Sequence, residues 1–254
     1  MVKVQFLGTG TSQGVPIIGC SCEVCSSTDP RDKRLRSSIH VELDGLSMVV
    51  DTGPDFRYQM LRAGVKSLDA VLFTHGHKDH TAGFDDIRAF NFIQKRDMDV
   101  YCDENVKEIL HKDFDYVFAD LKYPGVPRAI LHPLHNEPFD IKGRRITPIQ
   151  VFHYKLPVFG FRFGDFTYIT DANRIDESEI DKIRGSKVVV LNALRRVEHI
   201  SHFTLEQALE MAETIGAERT YFTHISHQLG KHEDVEKELP SGVHLAYDTL
   251  TLEV

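Results

Sequence analysis

Residues 74–80 read Thr-His-Gly-His-Lys-Asp-His and follow Ala70-Val71-Leu72-Phe73, a short apolar run of the buried-strand type. At a strand's end the period of two puts the His75 and His77 rings on one side, where both reach a single cation. Gly76 between them allows a close turn. Asp79 and His80 then open the following helix, one step further round the same pocket. Three imidazoles and a carboxylate within six residues suit a borderline metal such as zinc, manganese or iron. A strand–turn–helix passage is the setting such a site requires.

The surrounding pattern indicates what carries this motif. Of 254 residues 41% are hydrophobic and 27% charged, which excludes an extended disordered chain and allows a large core. No linker, repeat or biased tract interrupts it, so residues 1–254 read as a single domain. Strands are predicted at Val2–Leu7, Ile39–Leu43, Ser47–Asp51 and Ala70–Thr74, with a hairpin turn at Asp44-Gly45. Helical patterns follow at Asp55–Ala63, Gly83–Ile93 and Glu104–Phe114. The stretch from Tyr116 to Lys142 has scattered Pro and Gly and weak periodicity, and reads as a long loop. Strands resume at Arg145–Tyr154, Val158–Gly164 and Phe166–Thr170. A helix at Glu177–Ile183, a strand at Lys187–Ala193, a helix at Thr204–Ile215 and strands at Arg219–His224 and Val243–Asp248 complete the series, with a short strand ending the chain. Thr204 and Gln207 form a capping box that fixes one helix start. Strand-rich halves punctuated by helices suggest an α/β fold with two sheets face to face and helices outside. Periodicity alone leaves a mixed three-layer fold open.

A second cluster lies in the first loop. Cys20, Cys22 and Cys25 fall within six residues, in Gly19-Cys20-Ser21-Cys22-Glu23-Val24-Cys25. The start, MVKVQFLGTG, reads as a strand entering a glycine turn rather than a signal peptide, so a cytoplasmic location is expected. In that setting a C-x-C-x-x-C cluster is a metal group more often than a disulfide set. His227, in Thr223-His224-Ile225-Ser226-His227, is the inferred fourth ligand of a closed, structural Cys₃His zinc site. Cys102, ending a predicted strand, reads as a buried apolar thiol. No apolar run approaches the roughly 20 residues of a membrane helix. A net charge of −8 disfavours nucleic acid as a partner, since that needs a basic footprint. Arg31, Lys33, Arg34 and Arg36 make one local basic cluster, equally readable as a solvated loop or a phosphate contact. Oligomeric state stays open, a homodimer included.

H-x-H-x-D-H after a buried strand resembles the signature of the metallo-β-lactamase superfamily of hydrolases. The resemblance implies a four-layer αβ/βα sandwich with a metal centre at one edge of the sheets. It spans essentially the whole chain, because later positions also match: His153 in Ile149-Gln150-Val151-Phe152-His153, Asp171 in Tyr168-Ile169-Thr170-Asp171-Ala172, and His224 in Tyr221-Phe222-Thr223-His224. Asp51, in Val49-Val50-Asp51-Thr52-Gly53, matches the acidic residue that supports the site without binding metal. By resemblance His75, His77 and His153 hold one cation, Asp79, His80 and His224 a second, and Asp171 bridges them. Two divalent cations, zinc or manganese, then lower the pKa of a bridging water.

The cysteine loop, the Thr-His-Ile-Ser-His-Gln run and Gly83-Phe84-Asp85-Asp86-Ile87-Arg88 are similar to the phosphoribosyl cyclic phosphate phosphodiesterases of phosphonate breakdown. That branch implies a small phosphorylated substrate, a cyclic phosphodiester opened by hydroxide attack on phosphorus. Asp79, Asp171 and His202 are then the residues carrying the reaction. His202, in Ile200-Ser201-His202-Phe203-Thr204, matches a non-ligand histidine that assists the leaving group, and His199 is a near neighbour. Competing readings are a tRNA 3′-end nuclease, a glyoxalase II-type thioesterase and a metal-stabilised binding protein. The first lacks a glycine- and basic-rich arm here. The Cys₃His loop counts against the second, and the complete ligand set against the third.

Overall fold

The computed structural model describes residues 1–120 and 123–254. Its strands are β1 Val2–Gly8, β2 Ser38–Leu43, β3 Leu46–Val50, β4 Ala70–Leu72, β5 Met98–Cys102, β6 Ala129–Pro133, β7 Phe139–Ile141, β8 Arg144–His153, β9 Leu156–Phe163, β10 Phe166–Tyr168, β11 Val188–Asn192, β12 Arg219–Thr223, β13 Val243–Leu245 and β14 Thr251–Glu253. The helices are α1 Phe56–Ala63, α2 Lys78–Thr81, α3 Arg88–Gln94, α4 Glu104–Asp113, α5 Asp115–Phe118, α6 Glu177–Ile183, α7 Leu205–Ile215 and α8 His232–Glu236.

The strands form two seven-stranded sheets, in the orders β14-β1-β2-β3-β4-β5-β6 and β13-β12-β11-β10-β9-β8-β7. Each sheet combines antiparallel hairpins with a parallel run: β3 to β6 in the first, β10 to β13 in the second. Phe6, Ile39, Val41 and Met48 of one sheet pack with Phe161, Phe163, Phe166 and Val190 of the other in the central core. A second cluster seats α6 and α7 on the outer face of the second sheet through Ile180, Ala208 and Ala212 against Val189 and Leu191. A third seats α1, α3 and α4 on the first through Phe56, Phe90 and Leu110 against Val71 and Val100. Apolar side chains thus serve both faces of the parallel strands, which reads in sequence as the uninterrupted Val188-Val189-Val190-Leu191. The result is the four-layer αβ/βα sandwich.

Two predicted features differ. Tyr116–Lys142 is not one long loop: it holds α5 through Phe118 and the strands β6 and β7. Both strands are sheet edges, and β6 is half-exposed along most of its length, so it lacks the alternation that marks a strand. Residues 121 and 122 of that stretch lie outside the described residues. The helical pattern at Gly83–Ile93 divides into a 3₁₀ turn at Phe84–Ile87 and α3.

The carboxyl ends of the parallel strands gather at one rim, where open α/β sheets place their sites. There the sheets are joined directly. The Phe159 N–H of β9 donates to the Thr74 carbonyl at 2.9 Å, and Thr9 and Ile225 exchange backbone contacts through Ile225 N–H to Thr9 O, also at 2.9 Å.

Candidate metal centre

Each predicted residue reaches the rim from a strand end. His75 and His77 follow β4, Asp79 and His80 lie in α2, His153 ends β8, Asp171 follows β10 and His224 follows β12. Asp51, Asp171 and His224 have φ of +66°, +57° and +55°. This left-handed backbone costs on the order of 1–3 kcal/mol per residue and turns the chain sharply where the site is built. Close backbone packing completes the turn: a Cβ on Gly53 would stand 2.1 Å from the Asp79 carbonyl oxygen.

Hydrogen bonds select one free nitrogen on several rings. His80 donates from Nδ1 to Asp51 Oδ2 at 2.7 Å. His75 Nδ1 meets Thr74 Oγ1 at 3.0 Å, and that hydroxyl donates to Asp51 Oδ2 at 2.8 Å. His153 donates from Nδ1 to the Ser201 carbonyl at 3.0 Å. In each case Nε2 is left for the rim, as metal-binding imidazoles require. His75 Nε2 then faces His77 Nδ1 at 3.0 Å, and the His77 ring lies 5.1 Å from that of His153. The His75, His77 and His153 rings are therefore neighbours at the rim.

Asp171 stands between this trio and the rest. Its Oδ2 is 3.3 Å from His80 Nε2 and 3.2 Å from His224 Nδ1, and its Oδ1 is 3.1 Å from His202 Nε2. His80 Nε2 also lies 3.3 Å from Asp79 Oδ2. Besides the cysteine cluster, three donor sets among the described residues lie close enough to hold an ion: His75, His80 and Asp171; His153, Asp171 and His202; Asp79, Asp171 and His224. Asp171 is common to all three. His77 is the one predicted ligand outside these sets, and its side is open to solvent.

The donor set fits cations. His80 Nε2 is buried without a hydrogen-bond partner, aimed between two carboxylates. Burial opposes ionisation of Asp171, yet His224 and His80 outweigh it and hold the carboxyl well below its usual range. Burial likewise opposes the charge on Asp79, and His80 overcomes it. Burial lowers His224 to about 4, and burial with the nearby His80 keeps His75 well below its ordinary value. His75 and His224 are thus neutral beside ionised carboxylates, as divalent metals require, while against burial Asp79, Asp171 and Asp51 raise His80 well above its ordinary value, a charge that a metal ion would replace.

The cysteine cluster is assembled as well. Cys20, Cys22 and Cys25 Sγ lie 3.4, 3.2 and 3.6 Å from His227 Nδ1. Tetrahedral zinc with ordinary bond lengths sets S···N edges of about 3.6 Å. The Cys25 N–H and then His227 lower Cys22 to about 6, while burial raises Cys25 to about 11. Cys102 is buried, and burial raises its thiol to about 12. Within the basic cluster beside the loop, Arg31, Lys33 and Arg36 are half-buried and Arg34 is buried. Arg34 donates to Thr9 Oγ1 and the Ala246 carbonyl, while Arg31 pairs with Asp29 and Arg36 with Asp55.

Some supporting residues escaped the sequence reading. Thr74 couples Asp51 to His75. Asn192 closes both backbone groups of Ala172, accepting from its N–H at 2.7 Å and donating to its carbonyl at 2.9 Å, which fixes the turn at Asp171. The available signal was a lone amide ending an otherwise apolar strand.

Residues 47–225 match the family described as β-lactamase superfamily domain. A solved structure described as a new diphosphatase from the PhnP family is 41% identical, with a TM-score of 0.93, over 100% of this chain and 98% of that one. Zn²⁺-bound PqqB from Methylobacterium extorquens shares the fold, at 22% identity and a TM-score of 0.77 over 99% and 100%. A Porphyromonas gingivalis protein described as an octanoyltransferase is 39% identical over 98% of this chain and 51% of its own length. The chain thus spans about half the length of that relative.

Proposed function

This chain belongs to the metallo-β-lactamase superfamily, in the branch of the PhnP-family diphosphatase, and from that premise we propose a dinuclear metal-dependent phosphodiesterase acting on a small cyclic phosphodiester. The observation that carries the reading is the position of Asp171, shared by three donor sets with both carboxylate oxygens engaged.

His75, His77 and His153 would hold one cation, Asp79, His80 and His224 the other, and Asp171 both. Zinc and manganese each suit imidazole with carboxylate. Two such ions supply Lewis acidity and make water a competent nucleophile near neutral pH. The chain's own groups do the rest. Asp51 and Thr74 hold two rings in one tautomer. His202, buried with Nε2 turned to the rim, gives a proton to the oxygen leaving phosphorus. Cys20, Cys22, Cys25 and His227 would hold a structural zinc, which would pin the first loop against the β12 end.

The name diphosphatase on the 41% identical structure favours a second substrate class, a phosphoanhydride cleaved at the same centre. Octanoyl transfer is the description of a protein twice this length, so an octanoyl thioester belongs in the comparison. Purified protein loaded with manganese or zinc is expected to cleave bis-p-nitrophenyl phosphate. Asp171→Ala is expected to abolish turnover while the circular dichroism spectrum persists. Rates on ribose cyclic phosphate, 2′,3′-cyclic nucleotides, a nucleoside diphosphate, an octanoyl thioester and precursor tRNA then rank the substrates. A clear preference for tRNA or the thioester would overturn the proposal.

A further inference from the structure

The loop between β11 and α7 carries a second histidine for which the reaction as described has no use. His199 Nδ1 lies 3.1 Å from His202 Nδ1, and Ser201 Oγ sits 3.3 Å from the first and 3.1 Å from the second. Two ring nitrogens at that distance share one hydrogen, so one donates and the other accepts. A fixed donor decides which. The Ser201 backbone N–H points at His199 Nδ1 at 3.3 Å, which makes that nitrogen the acceptor. Burial, with His202 and Arg195 nearby, also holds His199 below its ordinary value, in keeping with a neutral ring. His202 Nδ1 must then carry the hydrogen.

From this geometry we infer that His199 is a positioning residue, which accepts from His202 Nδ1 and so locks the ring in the orientation that presents Nε2 to the leaving oxygen. The inference rests on the phosphodiesterase reading and extends it to a residue that reaches the site through His202. The loop is built to hold His199 still. Arg195 donates to the carbonyls of Val197 and Glu198 and to Gln228 Oε1, and Asn173 Nδ2 donates to the Ile200 carbonyl. In the step served, water forms the new P–O bond and the ester P–O bond breaks. In the form that gives the proton, His202 carries hydrogen on both nitrogens, with Nδ1 bonded to His199; the departing oxygen takes the proton from Nε2, and the proton shed by the water restores it. With His199 removed, the His202 Nδ1–H loses its acceptor and the ring can rotate, so the departing oxygen loses its donor.

The test is a series of aryl methyl phosphates, from p-nitrophenyl, whose anion leaves unaided, to phenyl, which needs a proton. The wild-type enzyme, the His199→Leu variant and the His199→Asn variant are compared in the metal-loaded state. Positioning of an acid predicts that His199→Leu lowers the phenyl-to-p-nitrophenyl rate ratio by about tenfold. Asn places an oxygen where Nδ1 was, still accepts from Ser201 N–H and His202, and should restore the ratio. An equal loss across the series in His199→Leu, or no rescue by Asn, would overturn the inference and leave the phosphodiesterase standing. A wild-type enzyme that cleaves none of the series overturns both.

Discussion

Asp51 sits at the end of β3 with no solvent contact, and accepts from the Thr74 N–H at 2.8 Å, the Thr74 hydroxyl at 2.8 Å and His80 Nδ1 at 2.7 Å. Two carboxylate oxygens can take all three donors; an amide has one acceptor oxygen and would turn an N–H toward at least one of them. Asp51→Asn should therefore leave the fold in place and loosen the His80 and His75 rings. Metal affinity is expected to fall about 10- to 100-fold, as with other outer-sphere partners. Titration of the apo-protein with zinc reads this out, and an unchanged affinity would refute the role. At this scale the sequence was informative about identity and silent about geometry. His75, His77, Asp79 and His80 sit in one motif and could be read directly. His153, Asp171 and His224 became legible only in order after that motif. The left-handed φ at Asp51, Asp171 and His224 has no sequence mark, since none is glycine. The His199–Ser201–His202 cluster was visible as neighbours, but which nitrogen faces which depends on a backbone N–H that no residue type specifies.

Among the elements, the buried strands and the capped helix α7 follow closely from apolar runs and the Thr204–Gln207 box. Those signals come from residues with two buried faces or a complete cap. The edge strands β6 and β7 have one protected side and carry weak patterns, which is why they read as loop. The cysteine loop has no regular structure to read, and its shape depends on long-range closure by His227, about 200 residues away. A loop closed by four metal ligands would behave as a structural element only while the metal is bound. Cys22→Ser removes a ligand that is exposed and held near 6 by the Cys25 N–H and His227. It should lower the melting temperature and the zinc content by one equivalent, and change turnover per folded molecule far less. A loss of turnover without loss of stability would place this loop in the reaction instead.

Across the whole molecule, the first and last segments are stitched by a buried polar network rather than by the site. Asp248 accepts from Thr9 N–H and hydroxyl, Leu35 N–H and Arg62; Arg34 donates to Thr9 Oγ1, the Ala246 carbonyl and His232 Nδ1. His232 serves as an acceptor there, so it must be neutral at Nδ1. Burial, then Arg34 and Arg31, lower it from 6.5 to about 4. The folded state therefore binds fewer protons than the unfolded chain between those two values. By linkage its contribution is complete above about pH 6.5 and is lost progressively as pH falls toward 4. At the rim His75 and His224 are shifted in the same direction and His80 in the opposite one, so the wild-type curve alone does not isolate this one. His232→Asn does, because its side-chain oxygen still accepts from Arg34 and cannot be protonated in that range. Urea midpoints of the two proteins should lie close together at pH 7. As the pH is lowered to 5 the variant should become progressively the more stable of the pair. A difference that stays constant over that range would mean that the Arg34–His232 contact does not couple protons to the closure of the two chain ends.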